Sequence, residues 1–390
     1  MKKRIYLDNS ASTPVDARVL KAMMPYFAKK YGNASSVHFF GQEAQSAVDI
    51  ARKKTADFLN CDTSEIFFAG SATEANNLAI IGVVRKFINE KREGKPHIVI
   101  SKIEHESVFQ TVKYLSEIGE LEYSLLPVSK DGIVLIDKLT ELLRGNTVLV
   151  SVIHANNEIG TIQPIKEISL LIRKFNKEIG KNILFHTDAV QSAGFLNCDV
   201  EALGVDMLTL SGHKIYGPKG VGTLFVKSGS NIEPFVLGSG QESGLRSGTE
   251  NVPAIVGIGV ALDLVKKERK NIGKITALRD KLISEILSEI PNSKITGSLE
   301  KRLPHHISIS FTGVKREELV IAMDLKGVAI SAGAACHSKA LKASYILDAL
   351  GLSEKEKESN IRITLGRKTT NEDIKYTLKI LKETVKKLRQ

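Results

Sequence analysis

Cysteine is scarce in this sequence: Cys61, Cys198 and Cys336 are the only three in 390 residues. None sits in a CxxC pair or beside a histidine cluster, which argues against a disulfide framework and against a dedicated structural zinc site. Long apolar runs are missing too, none approaching the ~20 residues that a membrane span needs. The opening Met-Lys-Lys-Arg passes straight into strand-like Ile5-Tyr6-Leu7 instead of a secretory apolar stretch, so a cytoplasmic protein is expected. Aromatic residues make up 6% of the chain, with no tryptophan, and no basic stretch is interleaved with them as in a nucleic-acid-binding patch. The formal net charge of +11 comes from lysines and arginines spread along helical stretches such as Lys375 to Lys382, which read as solvated faces. Direct nucleic-acid binding is not expected.

What is present is ample apolar material, 42% of residues against 25% charged, enough for a large core. The length argues for two domains sharing a cleft. Short apolar, β-branched runs recur and alternate with helical spacing, the pattern of an α/β protein. Thr147 to Ile153 reads as a central parallel strand covered on both faces, ending in His154-Ala155-Asn156-Asn157. Ile183-Leu184-Phe185-His186-Thr187 delivers Asp188 and Gln191 at its carboxyl end, and Met207 to Leu210 leads into Ser211-Gly212-His213-Lys214. Ile66-Phe67-Phe68-Ala69 runs into Gly70-Ser71-Ala72-Thr73-Glu74, whose small residues open a helix and suit an anion cradle as well as an ordinary cap. In open α/β sheets ligands bind outside the carboxyl ends of the strands, so the Gly70 turn, Asn157, Asp188 and Lys214 are expected at one edge.

Lysine captures an electrophile only if its amine can lose a proton, which a partly buried turn assists; a solvated surface lysine is the alternative. Paired with an aspartate on a neighbouring run, Lys214 gives the pattern of a pyridoxal phosphate site. Farther on, Ser331-Ala332-Gly333-Ala334-Ala335-Cys336-His337-Ser338 sets a cysteine among residues that offer it little to pack against. That composition suits an accessible thiol on a moving loop, whereas Cys61 and Cys198 read as structural. His305-His306 begin an alternating strand pattern and lack a third partner for a metal.

The stretches Ser211-Gly212-His213-Lys214-Ile215-Tyr216-Gly217-Pro218-Lys219-Gly220 and His186-Thr187-Asp188-Ala189-Val190-Gln191 resemble the cysteine desulfurases of the NifS/IscS family, a branch of the fold-type I pyridoxal phosphate enzymes. The likeness extends from Tyr6-Leu7-Asp8-Asn9 to Ile361-Arg362-Ile363-Thr364-Leu365-Gly366-Arg367. It implies a large domain with a mainly parallel seven-stranded sheet and a smaller α+β domain. With the helical stretch from Asn251 through Leu264 taken as the hinge, residues 15–258 form the cofactor domain, and 1–14 with 259–390 form the smaller domain carrying Cys336.

The resemblance also distributes roles. Lys214 anchors pyridoxal 5'-phosphate, Asp188 pairs with its ring nitrogen, Gln191 reaches its ring hydroxyl, Asn157 binds the cofactor, and His105 lies over the ring and shuttles protons. Ala72, Thr73, Ser211 and His213 meet the phosphate or orient the lysine. Thr249, at the end of a glycine-rich loop, touches the phosphate of the other subunit of a homodimer. Asn33 and Arg362 hold the substrate carboxylate. Without the resemblance, Asn33 reads as a turn residue, His105 as a helix-start histidine, Thr249 as part of a surface loop and Arg362 as half of an interdomain salt bridge.

The implied activity converts L-cysteine to L-alanine, with sulfur passing to Cys336 as a persulfide. An iron-sulfur scaffold or another sulfur-acceptor protein then collects it for cluster assembly, tRNA thiolation or both. Cys336 itself is a candidate transient iron-sulfur ligand, and no other metal is expected. A selenocysteine or cysteine-sulfinate lyase on the same scaffold, and a non-catalytic sulfur-relay protein, are the rival readings.

Overall fold

The apolar runs become strands. The computed structural model describes residues 4–333 and 344–390. In it the strands are β1 (Ile5–Tyr6), β2 (Ile66–Ala69), β3 (His97–Ser101), β4 (Glu122–Leu126), β5 (Thr147–Ser151), β6 (Leu184–Asp188), β7 (Met207–Ser211), β8 (Gly222–Val226), β9 (Ser293–Ile295), β10 (His306–Phe311), β11 (Val328–Ala329) and β12 (Asn360–Thr364). A seven-stranded sheet runs in the order β2-β8-β7-β6-β5-β3-β4. Only β8 runs against its neighbours; every other adjacent pair is parallel. The mainly parallel seven-stranded sheet that the resemblance implies is therefore present.

Every residue of β3, β5, β6, β7 and β8 is buried, because helices cover both faces of the sheet. Alternate residues of β6 enter opposite cores. Phe185 packs in the layer that includes the helices Phe39–Leu59 and Val252–Glu268, and Leu184 in the layer that includes Ala72–Asn89 and Glu106–Glu117. Each such side chain contributes about 1.5 to 3 kcal/mol by leaving water, so polar residues that interrupt these layers stand out.

A separate apolar cluster surrounds the antiparallel sheet β12-β10-β9 and the parallel pair β1-β11, covered by the helices Ile272–Glu289, Arg316–Leu325 and Asn371–Leu388. The first core runs along the chain through Val265, and this second one resumes at Leu282. Near the start, helical spacing from Val15 to Lys30 suggests one helix, but the chain forms Ala17–Met23 and then a short turn, Pro25–Ala28. Pro25 has no N–H to continue the first helix and opens a new one instead. Val19 and Met23 go inside; Leu20 and Phe27 of the same stripe stay exposed. Among the described residues no helix is long and apolar enough to cross a membrane.

Candidate active site

The carboxyl ends of the strands meet at a cavity of about 530 Å³. Its wall includes Ala72, Thr73, His105, Asn157, Asp188, Gln191, Ser211, His213, Lys214 and Arg362. Ten expected residues thus come together from segments as far apart as positions 72 and 362.

Lys214 ends the turn Gly212–Lys214, which follows β7 directly. The turn needs glycine at 212, since a Cβ there would lie 2.7 Å from the Pro218 carbonyl oxygen. Past the lysine, Tyr216 takes a left-handed conformation (φ 64°), uncommon for an aromatic residue. It is held from two sides: its N–H donates to Thr13 Oγ1 (2.8 Å), and its hydroxyl accepts from the Arg367 N–H (2.7 Å). The segment Asp8 to Asp16 straps across this turn. Lys214 Nζ donates to the Ser10 carbonyl (2.5 Å) and the Ala11 carbonyl (2.9 Å), and the Thr13 N–H donates to the His213 carbonyl (2.9 Å). Gln191 Nε2 also donates to the Ser10 carbonyl, at 3.0 Å. Ser10, Ala11 and Ser12 therefore line the cavity, a role that their small side chains do not advertise in the sequence.

Asp188, the last residue of β6, is buried and accepts from the Val190 N–H at 3.0 Å and from Asn76 Nδ2 at 2.8 Å. Asn76 is fully buried in the helix Ala72–Asn89, and sequence reasoning missed it. The available signal was a polar pair, Asn76-Asn77, in a stretch that otherwise reads as an apolar helix. At the head of that helix Ser71 caps by accepting from the Glu74 N–H. Behind it Gly222 of β8 is obligatory, because a Cβ there would come within 2.4 Å of the Ser71 carbonyl carbon.

His105 caps the helix Glu106–Glu117. The residue before it, Glu104, is wholly buried: its Oε1 accepts from Ser101 Oγ (2.5 Å) and the Ile153 N–H (2.7 Å), while Oε2 has no partner. Burial pushes its carboxyl up to about 8, with the Asp188 charge acting in the same direction. His213 is pushed down to about 4 by burial and by the Lys214 and Lys219 charges, so at neutral pH it offers hydrogen bonds without positive charge. Burial pushes the Cys61 and Cys198 thiols up to about 12.

Arg362, on β12, is buried. Its Nη2 pairs with Asp8 Oδ1 (2.7 Å), its Nη1 donates to the Asn157 carbonyl (2.9 Å), and its Nε has no partner. Asn157 Oδ1, on the same cavity wall, is also buried without a partner. Two expected residues lie elsewhere. Asn33 is exposed and its side chain accepts from the Ser35 N–H, closing its own turn. Thr249 is exposed and lines a smaller neighbouring cavity with Gly70, Gly220, Val221 and Arg246. Cys336 falls outside the described residues.

A family model described as aminotransferase class-V matches residues 5–377. The chain belongs to this family. Its relatives include cysteine desulfurase IscS of Dictyoglomus turgidum, 42% identical over 100% of this chain and 96% of the relative. Cysteine desulfurase IscS 1 of Archaeoglobus fulgidus is 44% identical over 98% of this chain and 97% of its own. Among solved structures, a NifS-like protein superposes with a TM-score of 0.90 at 38% identity, covering 97% of this chain and 98% of that one. Family members depend on pyridoxal phosphate, and the residues here fit it. A buried acceptor carboxylate, an amine, an 18-residue helix that begins at the cavity wall and an unpartnered Asn157 amide oxygen surround one space. Lys214, Asp188, Gln191, Asn157 and His105 would hold its ring, and Ala72, Thr73, Ser211 and His213 its phosphate.

Proposed function

We propose that this protein is a cysteine desulfurase that binds L-cysteine beside pyridoxal phosphate, releases L-alanine and keeps the sulfur on Cys336. The observation that carries this reading is the convergence of Lys214, Asp188, His105 and Arg362 on one cavity at the carboxyl edge of the sheet. When bound, the cofactor supplies an electron sink for the pair released as the Cα–H bond breaks.

The chain's own residues do the rest. Arg362 takes the substrate α-carboxylate with the donor that is still unpartnered, and Asp8 holds its fork in place meanwhile. Lys214 Nζ would anchor the cofactor and supply the amine beside the substrate Cα. Asp188, buried and doubly hydrogen-bonded, would face the ring nitrogen. The Cys336 thiolate attacks the substrate sulfur, the Cβ–S bond breaks, and a proton replaces sulfur on Cβ. L-cysteine and a thiol thus become L-alanine and a persulfide, with no external oxidant or reductant. Cys61 and Cys198, protonated at neutral pH, are unsuited to that attack.

We further place the enzyme in the cytoplasm as a homodimer, delivering sulfur to an acceptor such as an iron-sulfur scaffold. The test is single-turnover alanine release by the full-length holoenzyme, with cysteine, selenocysteine and cysteine sulfinate compared side by side. Alanine and persulfide should form from cysteine in equal amounts, and Lys214→Ala should form neither. Normal turnover by Lys214→Ala, or faster alanine release from cysteine sulfinate than from cysteine, would falsify this reading.

A further inference from the structure

Asn76 offers two amide protons, and both are committed. Nδ2 donates to Asp188 Oδ2 (2.8 Å) and to Ser107 Oγ (2.8 Å). The amide cannot be turned over, because a carboxylate only accepts and the flip would set Oδ1 against it. Ser107 Oγ therefore receives a proton from Asn76 and must direct its own elsewhere. Its other neighbour is His105 Nδ1, 2.8 Å away.

That ring nitrogen already accepts the Ser107 N–H at 3.1 Å, since His105 is the cap of the helix. Two donors converge on Nδ1, so in the neutral ring the proton sits on Nε2. We infer that Asn76 and Ser107 are positioning residues that tie Asp188 to His105 and fix its ring as a hydrogen-bond donor through Nε2 into the cavity. Resting on the desulfurase reading, this gives His105 a definite first role: it donates to the substrate, to its carboxylate or sulfur. To act first as a base at Nε2 the ring would have to carry its proton on Nδ1, where both Ser107 donors stand. The chain Asp188–Asn76–Ser107–His105 also links the ring-nitrogen partner to the histidine, so a change of charge at one end polarises the other.

The test uses full-length holoenzyme labelled with ¹⁵N-histidine, with the His105 signals assigned by their loss in His105→Gln. The wild type should show the Nε2–H tautomer. Asn76→Ala leaves the Ser107 N–H on Nδ1 but frees the hydroxyl to turn away, so the Nε2–H tautomer should persist with the Nδ1 signal shifted, and kcat for cysteine should fall about tenfold, the scale of one hydrogen bond, with KM within about twofold. Ser107→Thr keeps both donors and should keep the wild-type tautomer. An Nδ1–H tautomer in the wild type overturns the proposal. So does an Asn76→Ala enzyme in which the Nδ1 signal and kcat are both unchanged. Were the wild type to release no alanine from cysteine, the functional reading would fall, while the ring signals would still decide the tautomer.

Discussion

Arg362 is held by fixed geometry rather than by charge alone. One nitrogen of its fork pairs with Asp8 and another with the Asn157 carbonyl, so the third points where those two dictate. Arg362→Lys keeps the charge but cannot reproduce the fork. With charge-assisted hydrogen bonds contributing about 1.5 to 3 kcal/mol, losing one should raise KM for cysteine roughly tenfold to a hundredfold. Steady-state kinetics across a wide cysteine range reads this, and an unchanged KM would leave Arg362 as a structural tie to Asp8. Glu104 gives a prediction of a different kind. Its carboxyl, ordinarily near 4.5, keeps its proton in the folded protein up to about pH 8. The stability it contributes is therefore complete below pH ~4.5 and is lost as pH rises through ~8, by at most about 1.4 kcal/mol per pH unit. Asp188 faces the same group and deepens the loss. Buried His97, His154 and His186, pushed down to about 4 from 6.5, act oppositely, destabilising as pH falls through that window. Comparing wild type with Glu104→Gln cancels the histidines. Urea unfolding at pH 5 and pH 8 should show the wild type losing more stability than the variant over that interval, and parallel losses would mean that Glu104 titrates normally.

At the scale of elements, the strands and their edge were legible because continuous β-branched runs can be little else in a chain of this length. Thr147–Ser151 and the strand before Lys214 appear where periodicity sets them. Asn76, Glu104 and the Ser10–Ser12 strap were not legible. Each acts through at least one partner more than 25 positions away in sequence, and a local pattern cannot distinguish a buried asparagine from a solvated one. The approach of β8 to the head of the helix Ala72–Asn89 was equally hidden, since Gly222 looks like any strand-start glycine. In the fold, Gly222 lies opposite Ala69 in register and leaves no room for a methyl group beside Ser71. Gly222→Ala should push the helix head outward and weaken cofactor binding about tenfold or more, because backbone N–H groups at the helix start lose their aim on the phosphate. Titrating cofactor-depleted protein with pyridoxal phosphate measures it, with circular dichroism as the check on folding. Wild-type affinity in a folded variant would remove this turn from the phosphate site.

At the scale of the molecule, the loop that ends at Thr249 is pinned firmly within its own chain yet does not bring Thr249 into the main cavity. Arg246 Nε pairs with Glu74 Oε1 (2.6 Å), and Arg52 Nη2 pairs with buried Glu242 (2.7 Å). A loop fixed at such cost to side-chain freedom, with its threonine exposed, suits a contact made outside the chain. If Thr249 completes the phosphate site of a partner subunit, two damaged subunits can repair each other. Thr249→Asp sets a carboxylate against the phosphate and should abolish activity in its own homodimer, as Lys214→Ala does in its own. Mixed and reassociated, the two chains form hybrid dimers in which one site combines Lys214 of the first chain with Thr249 of the second and is intact. Random reassortment makes about half of the dimers hybrids with one working site each, so activity should return to roughly a quarter of the wild-type level. A site built wholly within one subunit gives no intact combination, and the mixture would stay inactive. Tagging the two chains differently and purifying through both tags isolates true hybrids, so an inactive hybrid would assign Thr249 to its own chain.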